Sequence, residues 1–389
     1  MRYISASIVV PVKGSFIRQG VVAIDETGTV RGVYEETDRA VSGIEKEFYD
    51  GVLIPGFVNA HCHVELSHMA GKTKKGTGLP RFLADVMKMR AADEKDILAQ
   101  IDAADELMYN NGIQVVGDHV NTALSAKMKA KSRIKYHTFV EIMAMAKEDI
   151  QPRVDKARDV EFYFDTSHAS ITPHAPYSCS KELFKAIRKL VSDDNILSIH
   201  NQESEEENKL YRYREGEFLD FYEEMGIDAS SFKAQARNSI QSYLGHLPKN
   251  NPLILVHNIH MSLKDVDFIE RLGRDAYFCV CPKSNLYIEG TLPKILNFVP
   301  NPKRMIVGTD SLASNDTLDI LAELKVISAH TNQLDFLQIL PWATINGAEA
   351  LGVAHQFGSI EVGKTPGLLL LEGMNNLRLT EKVTLKRIV

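Results

Sequence analysis

The sequence predicts an α/β protein: a TIM-like (β/α)8 barrel with a small β-sandwich domain built from both chain ends. Three observations lead to this fold class. Eight short apolar runs alternate with helical patterns, polar side chains follow several of these runs, and both ends of the chain resemble short strands joined by turns. A length of 389 residues also suits one large barrel with an accessory domain.

The alternation of strands and helices covers the middle of the chain. Helical patterns occupy Glu94–Asn110, Lys181–Val191 and Leu263–Leu272, and another helix opens at Ser204. Repeated strand–helix units imply a parallel sheet, and eight units imply a closed barrel. The apolar or β-branched runs are Val52–Ala60, Ile113–Gly117, Ile134–Ile142, Ala169–Pro173, Ile196–His200, Leu253–His257, Ala276–Val280 and Met305–Gly308.

The two chain ends depart from this alternation. Strand patterns with turns precede Val52, and similar patterns follow Phe357. We therefore expect residues 1–52 and 357–389 to form the two parts of one β-sandwich, and residues 53–356 to form the barrel. Two unrelated extensions are the alternative.

Composition excludes several classes of function. A net charge of -6 gives no basic footprint for nucleic acid, and the longest apolar stretches are far too short to cross a bilayer. The N-terminus lacks a long apolar core and a cleavage site, so we expect no signal peptide. Four cysteines without a spaced framework fit reduced thiols. We expect a cytoplasmic protein with a small-molecule substrate and neither a nucleic-acid nor a membrane partner; a homodimer stays open.

Polar side chains occur at the carboxyl ends of the predicted barrel strands. His61 and His63 follow the first run, and residues i and i+2 of a strand point to the same side, so both imidazoles can reach one ion. In barrels of this type, the carboxyl ends of the strands carry the active site. The later strand ends contribute His174, His200, Glu203, His257 and Asp310.

Three imidazoles and one carboxylate are typical of a site for one divalent metal ion, zinc first and iron as the alternative. Such an ion lowers the pKa of a bound water to about 7. Asp310 can bind the ion and accept the water proton, and Glu203 can carry a proton to a ring nitrogen or a leaving amine. His257 can orient the water and stabilise developing charge.

Simpler interpretations exist for these residues. Histidines at strand ends can be hydrogen-bonded core residues. Glu203 could be an acid of the first helical turn, as the glutamates after Ser204 are. His260 competes with His257 for the role on the sixth strand. His119 is predicted to be structural, because no neighbouring motif supports it.

The order of these motifs resembles the amidohydrolase superfamily over most of the chain. Within it, the chain is most similar to the branch of nucleoside and S-adenosylhomocysteine deaminases, and the segment His63–His68 is most similar to the aminofutalosine deaminase group. The motifs that carry the resemblance are Pro55–His63, His174–Ser178, His200–Glu203, His257–Met261, Cys281–Asn285, Gly308–Asn315, Ala343–Ala348 and Gly358–Lys364.

The resemblance implies a mononuclear metal site. Two-metal relatives carry a bridging lysine on strand 4, where this chain has Ile-Thr-Pro-His. The tail also departs from the family, with Lys364–Leu368 where an Ala-Asp-Leu is usual. The implied metal ligands are His61, His63, His200 and Asp310.

We therefore expect hydrolytic deamination of an aminated purine or nucleoside-like heterocycle. Aminofutalosine is favoured over S-adenosylhomocysteine, methylthioadenosine and adenosine. One alternative is the same metal site acting on a cyclic amide, a ureide or a C–halide bond. The alternative from another class is a catalytically silent metal-binding protein.

Three groups of side chains are candidates for this chemistry. The candidate catalytic groups are Glu203, His257 and Asp310. The candidate substrate contacts are Glu65, His174 and Asn285. Basic residues in the long loop after the first barrel strand could meet an acidic group of the substrate or form a solvated loop surface; these are Lys72, Lys74, Lys75 and Arg81.

Overall fold

The structure, a computed structural model, describes residues 1–230 and 232–389. The strands in this part of the chain are β1 (Arg2–Val9), β2 (Ile17–Arg18), β3 (Val21–Ile24), β4 (Val30–Tyr34), β5 (Glu47–Pro55), β6 (Phe57–Cys62), β7 (Ile113–Val120), β8 (Lys135–Ile142), β9 (Ala169–Pro173), β10 (Leu197–Asn201), β11 (Leu253–His257), β12 (Ala276–Val280), β13 (Met305–Val307), β14 (Leu368–Glu372) and β15 (Thr384–Arg387).

The helices in the same residues are α1 (Leu79–Met89), α2 (Glu94–Asn110), α3 (Ala126–Lys129), α4 (Ile150–Glu161), α5 (Lys181–Leu190), α6 (Glu205–Tyr213), α7 (Glu217–Glu224), α8 (Ser239–Tyr243), α9 (Leu263–Arg271), α10 (Pro282–Ile288), α11 (Ile320–His330), α12 (Phe336–Ile339) and α13 (Ile345–Ala350). Helix α2 has the predicted bounds, and α5 and α9 each end one residue earlier than predicted. Helix α6 begins after Ser204, whose side chain accepts a hydrogen bond from the backbone N–H of Glu206. None of these helices is long and apolar enough to span a membrane.

The barrel strands form two parallel four-stranded sheets, β6–β7–β8–β9 and β10–β11–β12–β13. Backbone hydrogen bonds join the two sheets at both seams. The N–H of His200 donates to the carbonyl of His174 at 3.0 Å, and the N–H groups of Thr309 and Asp310 both donate to the carbonyl of His61 at 3.0 Å. Strands such as β11 are buried at every position, as expected for a parallel sheet covered on both faces. The predicted (β/α)8 fold class is confirmed.

Both chain ends contribute to one additional sheet. Its strand order is β15–β14–β5–β1–β3–β4, with β2 paired to β1, and it mixes parallel and antiparallel neighbours. The joining of the two ends follows the sequence prediction. The proposed boundary at residue 52 falls inside β5, and the domain boundaries stay a prediction.

One predicted strand is wrong in its extent, because the run Val52–Ala60 is divided at Gly56. Strand β5 ends before Gly56 in the additional sheet, and β6 begins after it in the barrel. The backbone N–H of Gly56 donates to the carbonyl of Pro366 at 3.0 Å. A Cβ at this position would lie 2.6 Å from that oxygen and 2.2 Å from Cγ of Gln114. The close approach of two backbones therefore requires glycine and bends the chain here.

Candidate active site

The four predicted metal ligands meet at the carboxyl ends of the barrel strands. Nε2 of His63 and Nε2 of His200 lie 3.2 Å apart, and Oδ1 of Asp310 lies 3.6 Å from Nε2 of both His61 and His63. All four side chains are buried. Ligand atoms from the first, fifth and eighth barrel strands thus converge on one point.

These residues fit a divalent cation. Neither ring nitrogen of His61 has a hydrogen-bond partner among the described residues, although the side chain is fully buried. Unpaired buried nitrogens are costly unless something binds them. Two nitrogens bound tetrahedrally at about 2.0–2.1 Å lie about 3.3 Å apart, close to the observed separation of His63 and His200. Burial lowers the pKa of His61 and of His63 well below the usual range, which leaves lone pairs free for an ion.

The orientation of His200 is set by the fourth barrel strand. Its Nδ1 donates to the backbone carbonyl of His174 at 2.8 Å, so Nε2 carries the lone pair that faces the other ligands. The side chain of His174 itself lines the cavity described below, and its Nδ1 lies 2.7 Å from Oγ of Ser178. Burial lowers the pKa of His174 to about 4. The structure therefore places His174 beside the metal ligands as a neutral imidazole.

Asp310 is an ionised carboxylate with separate surroundings for its two oxygens. Burial alone would raise the pKa of Asp310, but the nearby imidazoles of His61 and His63 hold it well below its usual range. Oδ2 accepts hydrogen bonds from the hydroxyls of Ser284 at 2.6 Å and Ser314 at 2.7 Å. Oδ1 faces the imidazoles and is the oxygen positioned to accept a proton.

The pKa of Glu203 is shifted in the opposite direction. It follows β10, is buried, and its pKa is raised well above the usual range by burial and by the charges of Asp310 and Glu289. Its Oε1 lies 3.5 Å from Nε2 of His257. Two carboxyl groups whose pKa values are shifted in opposite directions therefore face the same space, which is the arrangement that separates an acid from a base.

His257 ends β11 with a positive φ of 72°. Its Nδ1 donates to Oδ1 of Asn285 at 2.9 Å, which leaves Nε2 as an acceptor on the side of Glu203. Burial lowers the pKa of His257 to about 4, so the ring is neutral. His260 was the alternative to His257 in the sequence analysis. Its Nδ1 lies 3.5 Å from Oε2 of Glu205, away from the metal ligands.

Two predicted substrate contacts are engaged elsewhere. Asn285 is buried behind His257 and holds that ring instead of lining the cavity. The carboxylate of Glu65 accepts hydrogen bonds from the backbone of Asn121 at 2.8 Å and from the hydroxyl of Thr122 at 2.8 Å. It ties the loop after β7 to the loop after β6. Neither side chain lies in the cavity wall. Oδ1 of Asn285 accepts a hydrogen bond from His257, whereas its Nδ2 is buried without a hydrogen-bond partner in residues 1–230 and 232–389.

The sequence analysis did not identify Glu141 as a residue of the candidate site. This residue lies near the end of β8, is buried, and lines the cavity. Its Oε1 lies 2.9 Å from Nδ1 of His119, whose ring centroid is 4.5 Å from that of His61. His119, predicted to be structural, is thus hydrogen-bonded within the group of site histidines. A charged residue at the carboxyl end of an apolar barrel strand was the signal that could have revealed Glu141.

A second buried acid supports the turn that carries Glu203. Oε1 of Glu207 in α6 accepts hydrogen bonds from the backbone N–H of Gln202 at 3.0 Å and from the hydroxyl of Ser239. Gln202 has a left-handed φ of 45°, so this contact fixes an unfavourable backbone conformation. Burial raises the pKa of Glu207 to about 7.

A cavity of about 640 Å³ opens beside the metal ligands. His63, His174, His200, Glu203 and Asp310 lie in its wall. Apolar residues of α1 and α7 cover another side; they include Leu79, Phe82, Leu83, Val86 and Phe221. The cations predicted in the loop after the first barrel strand do not line the cavity and are exposed; Lys72, Lys74 and Lys75 lie in that loop, whereas Arg81 lies in α1. The cations in its wall are Arg90 and Arg153.

A family model described as the amidohydrolase family matches residues 52–388 of this chain. The chain belongs to the amidohydrolase family. As an amidohydrolase it is a hydrolase, and its cluster of histidine and acidic ligands is able to hold a metal. The predicted family is confirmed.

Curated relatives extend over most of the chain. An adenosine deaminase from Helicobacter pylori is 26% identical over 356 residues, which cover 89% of this chain and 85% of the relative. A 5-methylthioadenosine/S-adenosylhomocysteine deaminase from Pyrococcus abyssi is 26% identical over 321 residues, which cover 78% of this chain and 70% of the relative. Both are longer than the segment they share with this amidohydrolase.

Solved structures show the same fold. The aminofutalosine deaminase of Helicobacter pylori in complex with methylthio-coformycin has a TM-score of 0.84 and 24% identity, with 100% of both chains covered. An adenosine deaminase from Xanthomonas campestris with bound zinc has a TM-score of 0.72 and 22% identity, and the match covers 95% of this chain and 84% of that one.

Proposed function

We propose that this protein is a metal-dependent hydrolytic deaminase of an aminated purine or nucleoside-like heterocycle. The observation that carries the proposal is the pairing of Glu203, whose pKa is raised by burial, with Asp310, whose pKa is lowered by nearby histidines, beside a set of imidazoles able to hold a metal. Hydrolytic deamination needs one group that takes a proton from water and another that gives a proton to the heterocycle. The names of the curated relatives support the same reaction.

A divalent cation held by His61, His63, His200 and Asp310 would supply Lewis-acid activation of a water molecule. Oδ1 of Asp310 accepts a proton from that water. The acceptor nitrogen Nε2 of His257 orients the water toward the amine-bearing carbon.

Glu203 completes the proton transfers. Its carboxyl group donates a proton to the ring nitrogen next to the attacked carbon, which makes that carbon more electrophilic. After the water oxygen has bonded to the carbon, the proton held by Asp310 passes to the amine. The C–N bond breaks and ammonia leaves, the ring nitrogen keeps the proton that Glu203 gave it, and the proton of the new hydroxyl group returns to Glu203. The net reaction exchanges an amine for an oxo group without any other reactant than water.

We propose zinc as the ion, with iron as the alternative. Imidazole nitrogen and carboxylate oxygen suit both metals, and a set of three nitrogens and one oxygen with room for water is typical of catalytic zinc. The bound zinc in the Xanthomonas campestris deaminase supports this choice. Elemental analysis of protein purified without added metal tests it directly.

Among substrates we favour aminofutalosine over S-adenosylhomocysteine, methylthioadenosine and adenosine. The segment His63–His68 and the motif Gly308–Asn315 support this choice, because both are most similar to the aminofutalosine deaminase group. The cavity supports it as well, because 640 Å³ with an apolar side formed by α1 and α7 leaves room for a group attached to the nucleoside.

A panel of substrates tests the proposal. Metal-replete protein should release ammonia from an adenine-type substrate, with the ultraviolet shift of conversion to the inosine-type product. Glu203→Gln serves as the control, because it keeps the cavity and the metal ligands and removes the proton donor. Opening of a cyclic amide or ureide without ammonia release from any aminated purine would refute the deaminase and leave the metal site standing.

A further inference from the structure

The two oxygens of the Asp310 carboxylate have different neighbours in the protein. Oδ2 accepts hydrogen bonds from the hydroxyls of Ser284 and Ser314, at 2.6 Å and 2.7 Å. Oδ1 receives no hydroxyl and lies 3.6 Å from Nε2 of both His61 and His63.

The two hydroxyls come from different parts of the chain. Ser284 lies in the first turn of α10, after the seventh barrel strand, and Ser314 lies four residues beyond Asp310 in the loop after β13. Both serines are fully buried, and their Oγ atoms are 2.9 Å apart. With two hydroxyl donors converging on it, Oδ2 has used its accessible lone pairs.

The backbone of Asp310 is fixed as well. Its φ is 58°, in the left-handed region that is unfavourable for a residue with a Cβ, and its N–H donates to the carbonyl of His61 at 3.0 Å. The freedom that remains is rotation of the side chain about the Cα–Cβ and Cβ–Cγ bonds. That rotation would exchange Oδ1 and Oδ2, or turn both toward the imidazoles, and the two serines oppose it.

We propose that Ser284 and Ser314 are positioning residues that hold Oδ2 of Asp310 away from the metal ligands and reserve Oδ1 for the ion and the water proton. Removal of both hydroxyls frees Oδ2 to turn toward the ion, which makes the carboxylate bidentate and weakens it as a proton acceptor. This inference rests on the proposed metal-dependent hydrolysis, but its geometry does not depend on the substrate.

The test uses the full-length protein loaded with cobalt(II), whose visible absorption reports coordination number. The variants are Ser284→Ala, Ser314→Ala and the double variant. Ser170→Ala is the matched control, because Ser170 is also a fully buried barrel serine but donates to the carbonyl of Ile196 at 2.7 Å, outside the site. Ser314→Thr keeps a hydroxyl group at position 314, which Ser314→Ala removes.

We expect each single variant to lower kcat about tenfold and the double variant about a hundredfold, with KM within about twofold of wild type. The cobalt band of the double variant should weaken and shift as a second oxygen joins the ion. Ser314→Thr should recover kcat and the spectrum, and Ser170→Ala should change neither. Metal content measured on each variant separates altered coordination from lost ion.

An unchanged cobalt spectrum and an unchanged kcat in the double variant would overturn the proposal. A lower Tm with normal spectrum and normal kcat would also overturn it, because it would make the serines merely structural. If wild-type protein deaminates none of the substrates, the proposed function fails, while the cobalt spectra of the single and double variants still decide the role of the serines.

Discussion

The buried carboxyl group of Glu207 should make the free energy of unfolding depend on pH, and the substitution Glu207→Gln should remove this dependence. One of its oxygens accepts hydrogen bonds from Gln202 and Ser239, and the other has no partner within residues 1–230 and 232–389. Burial raises its pKa from 4.5 to about 7. Glu207→Gln has nearly the shape of the protonated acid and no titrating group, so it should remove this dependence.

The sign follows from the direction of the shift. A carboxyl whose pKa is higher in the folded than in the unfolded state favours folding fully below pH 4.5, and this advantage is lost as pH rises through 7. For these two pKa values, linkage gives a loss of about 2.5 kcal/mol between pH 5 and pH 8. Wild type should therefore lose stability relative to Glu207→Gln by about that amount over this range.

The assay is urea unfolding of metal-saturated wild type and variant at pH 5, 6, 7 and 8. Protonation of the metal ligands at low pH affects both proteins alike, so the difference in free energy of unfolding isolates Glu207. Glu223→Gln, an exposed position on the adjacent helix α7, is the matched control and should show a difference that does not vary with pH. A difference between wild type and Glu207→Gln that is constant from pH 5 to pH 8 would refute the reasoning.

The remaining predictions concern the metal, proton transfer and the chain bend. Glu203→Gln should keep its metal and lower kcat about 100-fold, because an amide cannot deliver a proton. If the variant turns over at the wild-type rate, Glu203 has no catalytic role and is only an acidic residue at the start of α6. His200→Ala should lose most of its metal in elemental analysis after dialysis, whereas Asp310→Asn should retain some metal and lose most turnover; full occupancy in His200→Ala would contradict the ligand assignment. Gly56→Ala should lower the free energy of unfolding by about 1–3 kcal/mol, since its Cβ would overlap Pro366 and Gln114; an unchanged urea midpoint would count against the close approach.

The barrel could be predicted because each of its strands is recognisable from its own local sequence. Strands β9, β11 and β12 have the predicted bounds, since parallel strands that are buried on both faces are short uninterrupted apolar runs. The convergence of His61, His200 and Asp310 also followed, because carboxyl ends of barrel strands share one face. Local sequence was enough for both.

Other features depend on contacts between distant segments. The division at Gly56 comes from the carbonyl of Pro366, which no pattern around Gly56 reveals. Asn285 was a candidate substrate contact, but its Oδ1 accepts a hydrogen bond from His257, which lies 28 positions earlier in the chain. The hydrogen bond of Glu141 is of the same kind: its partner His119 comes from the adjacent strand, and neither segment alone indicates the pair.

The seam between the first and the last barrel strands also bears on the order in which the chain is made. Asn59 and Thr309, which are hydrogen-bonded across this seam, lie 250 positions apart. His61 and His63 emerge from the ribosome early, but Asp310 and the strand that closes the barrel emerge late. An ion held by all four proposed ligands would therefore bind only after Asp310 has been made and the barrel has closed, and its binding free energy would add to the stability of that state. A chain that stops before Asp310 would lack one proposed ligand and this contribution to its stability.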